Sequence, residues 1–170
     1  MDVAAAIRGR RSVRAFKSQD VEQDKIEKIL EAGRLAPSAN NRQQWKFIVV
    51  KDHETRQKLA RAAMNQSFLA QAPVVLAACA TESQKVMMCG HPTYAIDVSI
   101  ACAYMLLQAY ELDLGTCWIG AFNEEEVKSI LRVPRDVRVV ALSPLGYPTS
   151  WPDARPRKGL DEVACYEAYR

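Results

Sequence analysis

The segment APVVLAACA, residues 72–80, carries no charge and no polar side chain beyond the Cys79 thiol. A strand with one face in water alternates apolar and polar residues; a strand apolar at every position has both faces covered. A chain built on such a strand places it centrally, with other strands beside it and helices over it. KFIVVKD (46–52) and VRVVALSPLG (137–146) read as further strands, and TCWIGAF (116–122) as a short one that breaks at Gly120.

Helical periods separate these strands. Asp2 caps a short first helix that ends at Gly9. Residues 18–38 place Ile26, Ile29, Leu30 and Gly33 on one face of a second helix, and Pro37 marks its end. DHETRQKLARAA starts at an Asp52 cap. Residues 93–113 form a long apolar helix closed by Gly115. Asn123 and Glu126 open the helix 124–131 in the manner of a capping box, and Pro134 stops it. TESQKVMMCGHP (81–92) has no period and reads as a loop or lid. After Gly146, Pro148, Pro152 and Pro156 predict an extended, irregular tail that needs a surface to lie on. The result is one sheet layer covered by helices.

Size and composition agree with this. The chain has 170 residues, 49% of them hydrophobic and 25% charged, which suits a single domain over 1–170 with its own core. The five cysteines are irregularly spaced, as expected for reduced thiols in a cytoplasmic protein. In MDVAAAIRGRR the charges follow the short apolar run, the reverse of a secretory signal. Asp97, Ser99 and Gln108 interrupt the long apolar helix, which reads as buried rather than membrane-spanning.

The net charge of +3 is modest, but the arginines are concentrated. Arg8, Arg10, Arg11 and Arg14 surround Ser12, and Arg155, Arg157 and Lys158 form a second group. A run of arginines suits a solvated helix end; it equally suits a phosphate, whose oxygens match the guanidinium fork, with Ser12 adding a hydroxyl donor. Neither the net charge nor the aromatic pattern is that of a nucleic-acid binder. APSANNRQQW (36–45) is a polar turn by composition, yet its row of amides beside Trp45 is also suited to reading a planar heterocycle. Cys89 and His91 are too few to define a metal site, and Cys117 beside Trp118 reads as core packing.

RRSVRAF, APSANNRQQWKFIVV, NQSFLAQAPVVL, AIDVSIACAYMLLQAYELDLGTCWIGAF and LGYP…RPRKGLDEV occur in that order, from about Arg10 to Val163. Together they resemble the nitroreductase family of FMN-dependent oxidoreductases. The resemblance implies an α+β fold with a mostly antiparallel central sheet flanked by helices. It implies an intertwined homodimer with FMN at the subunit interface, helix 93–113 at that interface and the tail laid across the partner. Arg10, Arg11 and Ser12 would meet the FMN phosphate and ribityl chain, with Arg155, Arg157 and Lys158 returning to the phosphate. Arg14 would approach the pyrimidine end of the ring. Pro37, Ser38, Ala39, Asn41 and Gln43 would line the cofactor from the other subunit. Asn65 and Gln66 would bond the pyrimidine edge, and Ile119, Gly120 and Ala121 would pass along the ring with backbone contacts.

The implied activity is reduction of nitroaromatics, quinones or similar small acceptors by NADH or NADPH in a ping-pong hydride cycle. No side chain need act as catalyst, and no metal, membrane or nucleic acid is implied. Dehalogenation, flavin fragmentation and a flavin-binding sensor are the alternatives on the same scaffold. Two positions depart from the family pattern. Gln44 replaces the proline of Asn-x-Gln-Pro-Trp, and Phe68 stands where larger members carry a lysine, leaving Arg14 as the main charge at that end of the ring.

Overall fold

The structure, a computed structural model, describes residues 2–169. Its centre is a four-stranded antiparallel sheet in the order β1-β2-β4-β3, made of β1 (Trp45–Val50), β2 (Val74–Ala80), β3 (Gly115–Thr116) and β4 (Arg138–Gly146). The uniformly apolar β2 is interior, as its composition predicts. Its Ala77 pairs with Ile48 of β1 on one side and Leu142 of β4 on the other.

Alternation along β2 explains why every position is apolar. Val75, Ala77 and Cys79 join a core with α3 (His53–Ala62), α4 (Phe68–Gln71) and α6 (Glu124–Leu131). Val74 and Leu76 point the other way, onto α2 (Gln23–Arg34) and α5 (Thr93–Glu111), and Ala78 and Ala80 meet Val98 and Cys102 of α5. Neither face of the strand meets water, so neither tolerates a polar residue.

The helix starts follow local chemistry. Asp2 accepts the Ala5 N–H at 2.7 Å to open α1 (Val3–Gly9), and Asp52 accepts the Thr55 N–H at 2.8 Å to open α3. Asn123 accepts the N–H groups of Glu125 and Glu126, while its own Nδ2 donates to the Glu126 carboxylate at 3.0 Å. The expected box therefore closes through the Asn123 side chain instead of its backbone. Phe68–Gln71 and the short α7 (Leu160–Val163) are helical turns that carry no readable period.

Three expectations need correcting. Gly115 does not close α5; the chain leaves the helix through Asp113, which takes φ 61°, and Gly115 begins β3. Glycine is required at 115 because the buried Val13 lies against it, and a Cβ there would sit 2.8 Å from Val13 Cβ. TCWIGAF is not a continuous strand: after Thr116 it touches the sheet again only through the Ile119–Leu142 bridge. Trp118 is 38% exposed, so it is not core, although Cys117 is buried.

Helix α5 is apolar over most of its surface, but its own chain fully buries one face only. Val98, Ala101, Cys102, Met105 and Ala109 are buried, while Ile96, Ile100 and Leu107 are half-covered and Tyr104 is exposed. None of the described helices is long and apolar enough to cross a membrane. The tail keeps to its expected character. Residues 151–169 are exposed throughout, including Leu160, Val163, Tyr166 and Tyr169.

Candidate functional site

The fold joins the two arginine groups. Arg8, Arg10, Arg11 and Arg14 from the end of α1 and the segment after it, and Arg155 and Arg157 from the tail, line one cleft of about 770 Å³ together with Ser12. Asp153 is the one acidic residue on its wall. Two backbone hydrogen bonds bring the segments together where Phe16 bridges Pro148: the Lys17 N–H donates to the Tyr147 carbonyl at 2.8 Å, and the Thr149 N–H donates to the Ala15 carbonyl at 3.1 Å. Repulsion among so many cations stabilises nothing in the free protein. It is offset when an anion enters, because each guanidinium then gains a charge-assisted hydrogen bond.

The arginines are not equivalent. Arg11 turns its Nη1 back to the carbonyls of Arg8, Gly9 and Arg10 at 2.6–3.1 Å, so it also satisfies the open end of α1. Arg14 lies over the Phe68 ring, 5.9 Å from its centroid, a cation–π contact that holds the guanidinium in place. Phe68 thus positions the charge of Arg14. Ser12 bridges to Thr116, and the Val13 N–H donates to the Thr116 carbonyl at 2.8 Å, so this segment runs beside the β3 edge. The buried Cys117 thiol is pushed up by burial, against the opposing effects of Arg14, the Ser12 hydroxyl and Arg10.

The remaining expected residues fall into two sets. Asn65 is exposed in a tight turn after α3, with φ 57°, and Gln66 next to it donates to the Ala63 and Ala121 carbonyls at 2.9 and 3.2 Å. This ties the Asn65 turn to Gly120 and Ala121. The Ile119 side chain is buried, and its N–H and C=O both pair with Leu142. Lys158 is exposed and is not on the cleft wall.

Pro37, Ser38, Ala39, Asn41 and Gln43 lie elsewhere. They precede β1, at the edge of the sheet opposite β3. Here Asn40, Asn41 and Gln43 all have φ between 53° and 54°, the left-handed region. Asparagine tolerates it; glutamine does so less readily. The Ser38 Oγ accepts the Gln43 N–H at 2.9 Å, and Gln43 Nε2 donates back to Asn41. Asp97, only 2% exposed on α5, accepts the Ala39 N–H at 3.2 Å. Sequence reasoning treated Asp97 as an interruption of an apolar helix; a lone carboxylate among apolar neighbours was the available signal that it had a partner.

A second cleft of about 690 Å³ is lined by Lys17, Lys51, His53 and Arg56. Its chemistry is largely spent. Arg56 donates to the Ala70 and Ala72 carbonyls, and Lys51 to Gln23. Among the described residues, no group of three His, Cys, Asp or Glu side chains is placed to hold a metal. Burial pushes the Cys79 thiol up to about 11 and the Cys102 thiol up to about 12, which keeps both protonated and unreactive.

Residues 7–147 match the model of the nitroreductase family. A protein of Methanothermobacter thermautotrophicus, provisionally named NADH dehydrogenase/NAD(P)H nitroreductase, is 33% identical over 160 residues, covering 91% of this chain and 82% of that protein. The Bacillus subtilis FMN reductase [NAD(P)H] is 29% identical over 189 residues, covering 99% and 74%. The crystal structure of a nitroreductase family protein from Clostridium novyi superposes with a TM-score of 0.84 at 33% identity, covering 90% and 89%. With its antiparallel sheet, its α5 and its paired arginine groups, the chain belongs to the nitroreductase family of oxidoreductases.

Proposed function

We propose that this protein binds FMN and uses NADH or NADPH to reduce small acceptors such as nitroaromatics and quinones. The arginine cleft carries the reading: guanidinium groups from both ends of the chain converge around Ser12, as a terminal phosphate requires. Arg10, Arg155 and Arg157 hold that phosphate, and Ser12 adds a hydroxyl donor. Arg11 divides its donors between the phosphate and the end of α1. Arg14, fixed over Phe68, places positive charge where the reduced ring becomes anionic. The turn of Asn65 and Gln66, with Gly120 and Ala121, borders the ring.

FMN, when bound, would supply the redox chemistry, namely hydride acceptance from a nicotinamide and two-electron reduction of an acceptor. The chain's own residues bind, orient and provide charge; none serves as nucleophile or general base. The segment 37–43 completes the site from a second subunit. The uncovered face of α5 and the wholly exposed tail support such a homodimer, since both leave apolar side chains in water in a single chain.

The test is the visible spectrum of the purified protein, with the released chromophore identified. FMN in the extract, or FMN retained when the apoprotein is reloaded, is the expected result. A colourless protein that cannot be reloaded sinks the reading. An anaerobic panel of nitroaromatic, quinone and halogenated phenol acceptors then separates general reduction from dehalogenation.

A further inference from the structure

The two walls of the arginine cleft are different pieces of chain, and like charge drives them apart. The first wall is the end of α1 with residues 10–14. The second is the extended segment 150–157. Their tie at Ala15 and Thr149 fixes only one end of the second wall. From residue 151 onward the tail is exposed, so the position of Arg155 and Arg157 depends on how the chain is anchored where it leaves the body.

That anchor is aromatic. Tyr110, in the last turn of α5, meets the Trp151 ring edge-on, with centroids 5.0 Å apart and planes at 76°. The other side of Tyr110 lies against Gly9, the last residue of α1. A Cβ on Gly9 would come within 2.1 Å of the Tyr110 hydroxyl oxygen. One stiff ring, with few rotamers to explore, therefore touches the root of both walls. Neither Tyr110 nor Trp151 lines the cleft, so neither is placed to touch its occupant.

We propose that the Tyr110–Trp151 pair, seated on Gly9, is a positioning device that sets the spacing of the two arginine walls and thereby selects a flavin bearing a terminal phosphate over one without it. The proposal rests on the FMN reading above. A guanidinium is useful to a phosphate only within hydrogen-bonding reach, so a wall displaced by an ångström or so loses its contact. The residues proposed to border the ring, Asn65, Gln66 and Ala121, belong to other segments of the chain, tied together by the Gln66–Ala121 hydrogen bond, and none of them lines the arginine cleft.

The experiment titrates apoprotein with FMN and with riboflavin, reading flavin fluorescence. The variants are Trp151→Ala, Trp151→Phe and Gly9→Ala, each checked by thermal melting. Wild type is expected to prefer FMN. Trp151→Ala is expected to weaken FMN binding about tenfold or more, the equivalent of one charge-assisted hydrogen bond, and to leave riboflavin unchanged. Trp151→Phe, which keeps an edge-to-face ring, is expected to restore most of the preference. Gly9→Ala is expected to lower it, because the new methyl moves Tyr110.

Equal weakening of FMN and riboflavin in Trp151→Ala would mean a general structural role and overturn the proposal, as would no change in either. If Trp151→Ala does not fold, Trp151→Phe and Gly9→Ala decide by the same ratio. A wild type that binds FMN and riboflavin equally removes the phosphate assignment itself, and the proposal with it. That outcome is distinguishable because it appears before any substitution is made.

Discussion

At the β3 edge of the sheet, one chain assembles a cleft from its own two ends, with Arg10 and Arg157 meeting around Ser12. At the β1 edge, residues 38–43 form a loop with three left-handed residues, held by Ser38 and the buried Asp97. The first region is charged, open and adaptable. The second is rigid, at a cost of about 1–3 kcal/mol for each residue in an unfavoured backbone region. Backbone held in such regions clusters at functional sites, and the arginine cleft of the same chain lies at the other side of the sheet. In the proposed homodimer these two regions are half-sites, which two-fold pairing of subunits would join into whole sites.

The most severe test of that comparison is complementation. Arg10→Ala/Arg157→Ala should abolish FMN retention through the cleft, and Asn41→Ala/Gln43→Ala should weaken it through the loop. Mixed dimers gather both defects in one site and leave the other intact. Randomly reassembled mixtures should therefore recover about a quarter of the sites, read as bound FMN per subunit. Mixtures that recover nothing would place the whole site within one chain.

A smaller effect is expected at Asp97. Asp97→Ala leaves the Ala39 N–H without its buried acceptor, a loss of about 1–3 kcal/mol in the unfolding free energy measured by denaturant titration. Asp97→Asn keeps an acceptor oxygen and should lose less. Equal stability in all three proteins would mean that the loop holds its shape without α5.

The smallest effect is chemical and leaves the structure undisturbed. Cys79, Cys102 and Cys117 are buried with raised thiol pKa values, so none should react with a thiol reagent at neutral pH until the protein unfolds. Cys89 and Cys165 are exposed in the single chain. If the tail lies across a partner, only Cys89 should label quickly in the native dimer, with mass spectrometry identifying the site. Rapid labelling of Cys165 would leave the tail in solvent.

Much of this architecture was legible because it depends on local pattern. The apolar run 74–80 announced an interior strand, Asp2, Asp52 and Asn123 announced helix starts, and Ile26, Ile29 and Gly33 announced a buried face. Where reading failed, a neighbour distant in sequence had decided the matter. Gly115 was taken for a helix stop, but it is small because Val13 packs on it. Trp118, beside the buried Cys117, reads locally as core, yet it is 38% exposed.

Periodicity, caps and charge clusters are properties of neighbouring residues, and the order of residues alone was enough to establish the five longer helices, the central strand and the presence of two cationic groups. Whether those groups meet, what Asp97 holds, and that the loop 37–43 lies across the sheet from the arginines were settled only by packing. These features arise from strand order and from contacts between segments far apart in the chain, where loop closure and side-chain volume govern and no local repeat carries a record.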